Sequence, residues 1–313
     1  MASDFVPAAD EVWRLQQDDD PECRFFRKVV TGKSGLHRGT LQGTYIFAPS
    51  GKLLARRNSN SPTHIMEIMK HALSTWSEMP ENQRNATAKN FQPKFRWEDS
   101  YPTSGLVLSR SARDLPKDGK STSKTVAPFN RDAVWFSQKE TRQWLPHTLE
   151  VGARHTIPST LAKRMASVAL VDNVRGQTLP FHDTEVKGTA LQSEITKVRG
   201  SMIELRITGA SHASADGSWL FGTNYWKPRH EHKRSLTTQV LGKATFDSKA
   251  NAFVAFQLIA LGERRGRTGL NGRGSDLGPS GIGFSFHLAN KNWRVAPTFI
   301  NVYGASWVKM PGQ

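Results

Sequence analysis

Hydrophobic and polar positions alternate with two different periods along this chain, helical in the first quarter and two-residue in the last 125 residues. The clearest helical stretch follows Ser61-Pro62, a serine cap with proline at the first helical position. Ile65, Met66, Ile68, Met69, Ala72, Leu73 and Trp76 then fall on one side, and His64, Glu67, Lys70, His71 and Ser74 on the other. Before it, Thr44 to Phe47 is an aromatic and β-branched run of strand type, Pro49-Ser50-Gly51 is a turn, and Lys52 to Arg56 returns. Asp18-Asp19-Asp20-Pro21 is a helix entry, since carboxylates near an N-terminus complement the helix dipole. It predicts a helix over 21–30 with Phe25, Phe26 and Val29 inward. Asp4 to Ala9 predicts a short strand.

From Pro80 to about Pro128 the pattern gives way to Ser, Thr, Lys, Pro and Asn, including LPKDGKSTSKT, and reads as a linker or wrapping segment. Residues 132–144 predict a short helix anchored by Trp135, Phe136 and Trp144, and residues 158–169 predict a second. LVDNVRGQTLPF, at 170–181, leaves the helical period and sets polar residues between apolar flanks. Period two then dominates, with strands expected over 191–198, 202–208, 237–246, 253–261 and 282–288. Gly200-Ser201 and Asp247-Ser248-Lys249 are hairpin turns. Five or more antiparallel strands imply closure into a barrel or sandwich, which removes exposed edges. The expected fold class is therefore α+β. An α/β domain covers 1–85, a linker 86–128, and a β-rich barrel-like or sandwich domain with two short helices 129–313.

The order strand, helix, loop, hairpin, helix over the first 85 residues resembles the second half of a thioredoxin-like domain. GTYIFAPSGKLL is similar to that family's penultimate strand, turn and last strand. The family's Cys-x-x-Cys is missing, and Gln42-Gly43 stands where its cis-proline belongs. The resemblance thus implies a scaffold without dithiol chemistry.

Charge separates the two regions. Residues 1–85 hold 11 Lys/Arg against 10 Asp/Glu, and the rest hold 32 against 17, so nearly all of the formal +16 lies beyond residue 85. Such a field favours an anionic ligand, an acidic protein or nucleic acid. No apolar run approaches the ~18 residues of a membrane span. No positively charged leader followed by an apolar stretch is visible, which predicts a cytoplasmic protein. The one cysteine excludes an internal disulfide and a cysteine-based zinc knuckle.

Few residues carry candidate chemistry. Cys23 lies in the first turn of the predicted 21–30 helix, where the dipole favours a thiolate and a single-cysteine redox role. The loop GERRGRTGLNGRG, residues 262–274, sets Arg264, Arg265, Arg267 and Arg273 among five glycines. Guanidiniums pair with phosphates and carboxylates, and glycines let backbone amides approach an anion. Asp172, Asn173, Arg175 and Gln177 form the densest polar cluster between apolar segments, suited either to tie a helix to the sheet or to orient a ligand. His230 and His232 make a weak metal pair, with His182, Asp183 and His212 as further donors. No P-loop, Rossmann fingerprint, HExxH or GxSxG is present, so no cofactor is expected. The residues favour a non-catalytic binding or interaction protein. A thiol redox protein using Cys23 and a nucleic-acid binder acting through the basic part are the alternatives.

Overall fold

The computed structural model describes residues 4–8, 10, 12–85, 97–116, 129–217, 232–291 and 293–309. The chain divides into two compact units, Met1–Lys94 with Leu220–Lys227, and Phe95–Trp219 with Pro228–Gln313.

In the first unit, α1 (Val12–Gln17) precedes α2 (Pro21–Thr31), a two-stranded sheet of β1 (Thr44–Phe47) and β2 (Leu53–Arg57), α3 (Pro62–Glu78) and α4 (Glu81–Arg84). Asp20 caps α2 by accepting from the Cys23 amide at 2.9 Å, and Gly32 ends it at φ 77°. The hairpin buries both faces. Tyr45 and Phe47 pack with Phe26, Val30 and Leu41, while Ile46 packs with Ile68 and Ala72 of α3. Met66, expected on the apolar side of α3, is half exposed. Residues 4–8 form no strand; Phe5 packs against the Ile46 cluster instead.

The second unit contains β3 (Leu106–Asp114), β4 (Phe129–Phe136), α5 (Gln138–Arg142), β5 (Arg154–Thr156), α6 (Ser159–Arg164), a π-helical turn (Met165–Ala169), β6 (Val186–Arg199), β7 (Met202–Gly217), β8 (His232–Asp247), β9 (Ala252–Gly266) and β10 (Ser280–Leu288). The strands form one antiparallel sheet in the order β4-β3-β10-β9-β8-β7-β6-β5. The barrel or sandwich expected from the strand count is therefore replaced, among the described residues, by a single open sheet. Its ends are blunted by other means. β5 has only three residues, and β4 is covered from the C-terminal segment, where Thr298 donates to Asp132 and the Tyr303 hydroxyl accepts from the Trp135 amide.

Alternation places Leu191, Ile195, Ile203, Leu205, Ile207, Leu236, Val240, Phe256, Leu258 and Ala260 on the inner face. There α6 packs on β6, and the π-helical turn on β6 and β7. Trp144 is buried against Phe136 and Phe256, edge to face at 5.4 and 5.5 Å, and such pairs add roughly 0.5–1.5 kcal/mol beyond their area.

Two other expectations change. The 132–144 helix is instead the end of β4 followed by α5, because Ala133 to Phe136 is a buried apolar run. The helix cannot start before Ser137, which forms a capping box with Glu140. The presumed linker over 86–128 contributes β3, which lies between β4 and β10, one strand in from the sheet edge. The strand-forming signal at 106–112 was outweighed by the polar residues on either side of it.

Candidate functional site

The two polar stretches that stood out in the sequence, 171–177 and 262–274, meet in the second unit. Arg273, with its side chain fully buried, lies between two carboxylates. It donates to Asp114 at 2.7 and 3.0 Å and to Asp172 at 2.6 and 2.9 Å. Arg175 donates to Asp114 Oδ2 at 2.7 Å, the oxygen that also accepts from Arg273 Nη1. Arg264 on β9 donates to the Asp276 carbonyl at 2.9 Å and to its carboxylate, and Ser280 donates to the same carboxylate at 3.1 Å. Three arginines and three aspartates thus alternate in one network, which makes a set of buried charges tolerable.

The electrostatics follow from this pairing. Burial alone would push Asp114 up, but the hydrogen-bonded Arg273 and Arg175 outweigh it and hold Asp114 below the usual carboxylate range. Burial likewise opposes the charge on Arg273, and Asp114 and Asp172 more than restore it.

A second set of arginines holds the irregular 169–181 segment. Buried carbonyls without secondary-structure partners need donors, and a guanidinium supplies five in a fixed fork. Arg110 on β3 donates to Ala169 O, Val171 O and Asn173 Oδ1 at 2.8–2.9 Å. Arg234 on β8 donates to Thr178 Oγ1 and to the Leu179 and Pro180 carbonyls, with its guanidinium 4.2 Å from the centre of the Phe181 ring. Burial lowers both guanidiniums to about 10, against the opposing pull of Asp132 and Asp172 on Arg110 and of Glu185 and Asp172 on Arg234. Even so, both remain cationic at neutral pH.

The predicted residues therefore divide. Asp172, Arg264 and Arg273 belong to the network, with Arg175 at its exposed edge, and the arginines there are engaged by carboxylates of the chain itself; Asn173 accepts from Arg110 instead. Gln177 is exposed and joins through its carbonyl, which accepts from Thr268 Oγ1. Arg265 is exposed beside Glu263 at 2.9 Å, and Arg267 is half-buried. No protein-family model, curated protein or solved structure matches this chain.

Arg110, Arg234, Asp114 and Asp276 were missed in the sequence, although a signal for the arginines exists. Arg110 follows Leu106 and Leu108 in period-two phase, and Arg234 precedes Leu236 and Val240 in the same way. A charged residue in the phase of the buried positions marks an inward guanidinium.

Beyond the network, where β6 to β9 end, lies a groove of about 640 Å³. It is lined by Lys187, Lys233, Arg234 and Arg265, with Glu185 and Asp216, and by the hydroxyls of Thr184, Ser214 and Ser235. A much smaller recess adjoins it, sharing Arg234, Ser235, Arg265 and Gly266 and reaching inward to Arg264, Asp172 and Asn271.

Cys23 is buried in the first unit, its Sγ–H donating to Asp20 Oδ2 at 3.1 Å. Burial, then the bond to Asp20, push the thiol up to about 12 against the pull of Arg14. The helix dipole expected to favour a thiolate is thus outweighed. His230 lies outside the described residues. His232 opens β8, His182 donates its amide to Glu185, and His212 meets Thr237 at 2.8 Å. Among the described residues no three His, Cys, Asp or Glu side chains gather as a metal site, and no helix is long and apolar enough to cross a membrane.

Proposed function

We propose that this is a non-catalytic binding protein that takes an anionic ligand, bearing phosphate or carboxylate groups, in the groove at the ends of β6 to β9. The observation that carries this reading is the groove's lining, with Lys187, Lys233 and Arg265 at its exposed rim beside three hydroxyls. Lys233 pairs with Asp216 at 2.9 Å and Arg265 with Glu263, but both pairs are exposed, where solvent screens the attraction. An incoming anion therefore displaces them at little cost. The buried Arg264 and Arg273 act as the frame behind the groove rather than as its ligands. The first unit serves as a scaffold in this reading, since its Cys23 is buried, with a thiol pushed up to about 12, and offers no nucleophile.

Calorimetric titration with pyrophosphate, citrate and a single-stranded oligonucleotide, at low and at moderate salt, tests the proposal. Pyrophosphate or citrate should bind at low salt, and Lys233→Glu/Arg265→Glu should weaken that binding at least tenfold without changing the melting temperature. No binding by either small anion, or equal binding by the variant, would overturn it. Binding of the oligonucleotide alone, weakening steeply with salt, would favour the nucleic-acid alternative instead.

A further inference from the structure

The inner recess has an unmet donor. Arg264 is 2% exposed, and both of its terminal nitrogens are used by Asp276. Its Nε–H makes no hydrogen bond among the described residues. Asp172 Oδ2 is 3.7 Å from that nitrogen, and Asn271 Nδ2 is 3.5 Å from the same oxygen. Both separations exceed a normal N–H···O bond, while Arg273 Nε reaches that oxygen at 2.9 Å. Polar groups that face one another at such a distance in a buried place are commonly joined through solvent.

Arg264, Asp172 and Asn271 line the recess together with Thr178, Phe181 and Leu236. Its volume is about 10 Å³, on the order of what one water molecule occupies by that measure. We propose that this recess is a binding site for a single integral water molecule, which accepts from Arg264 Nε and Asn271 Nδ2 and donates to Asp172 Oδ2. The Thr178 hydroxyl is a further partner, which gives the three or four polar contacts typical of a buried water. A halide would satisfy the two donors but would face the Asp172 carboxylate with no proton to offer. The geometry therefore selects water over a small anion. The recess shares Arg234, Ser235 and Arg265 with the groove. The water joins β9 to the 171–177 segment where no direct bond does.

The test is a crystal structure of the full chain showing ordered solvent, from crystals grown once in chloride and once in bromide. A peak of oxygen height within hydrogen-bond distance of Arg264 Nε and Asp172 Oδ2 is expected in both, without anomalous signal in bromide. A recess without a peak, a direct Arg264 Nε–Asp172 bond, or an anomalous bromide peak would each overturn the proposal. None of these results depends on whether the groove binds an anion.

Discussion

Replacing Arg273 by methionine is the sharpest probe of what holds the second unit together. The side chain is fully buried and makes four hydrogen bonds of 2.6–3.0 Å to two carboxylates, so its loss leaves both without their main partner. Asp114 keeps Arg175 at 2.7 Å, whereas among the described residues Asp172 keeps the long approaches of Arg264 and Asn271. Removing one member of a buried ion pair costs about 3–5 kcal/mol, because an uncompensated charge stays behind. For a unit of this size that corresponds to a fall in melting temperature of roughly 6–20 °C.

The loss must also depend on pH, with a definite sign. Asp114 has a depressed folded pKa, so it adds stability above the unfolded carboxylate value of about 3.9 and loses it as pH falls through the folded value. In the variant Asp114 loses Arg273 and takes up a proton more readily, and the gap between wild type and variant narrows toward acid. Calorimetric unfolding at neutral pH and near pH 4 measures this gap. Asp172→Asn in the Arg273→Met background should recover part of the loss, with a coupling energy above about 1 kcal/mol. A destabilisation below about 1 kcal/mol, a gap independent of pH, or additive effects of the two substitutions would refute the assignment of Arg273 as the keystone.

Gly266→Ala should destabilise the second unit by about 2 kcal/mol or more in denaturant unfolding, because the glycine sits at φ 75° and an added Cβ would strike the Lys233 carbonyl. An unchanged midpoint would mean that β8 and β9 separate there more easily than their register implies. Iodoacetamide should leave Cys23 unmodified in the native protein at neutral pH, since a thiol pushed up to about 12 has on the order of a thousandfold less thiolate than a free cysteine. Rapid native labelling would revive the redox reading, and labelling only in denaturant agrees with a structural cysteine.

Much of the local structure is written in the sequence. Caps and turns act over three or four residues, so Asp20-Pro21, Ser61-Pro62, Gly51 and Gly200 mark element boundaries that the fold keeps, although the Ser61 side chain makes no capping bond. The period-two pattern likewise locates the cores of β6 to β10, because alternation reports which face is buried. The two polar stretches could be singled out as well, since arginines and aspartates among apolar residues stand out in one dimension. Only the tertiary structure decided the rest. Whether Ala133 to Phe136 is helix or strand depends on β3, and a continuous apolar run satisfies both periods. Open sheet or closed barrel depends on what pairs with β4 and β5, which no strand reveals by itself. Arg264 and Arg273, which looked free to take a ligand, are instead claimed by Asp114, Asp172 and Asp276, and Arg273 finds Asp114 from 159 residues away. Composition records how many charges there are, but their pairing is fixed by the distances that folding creates.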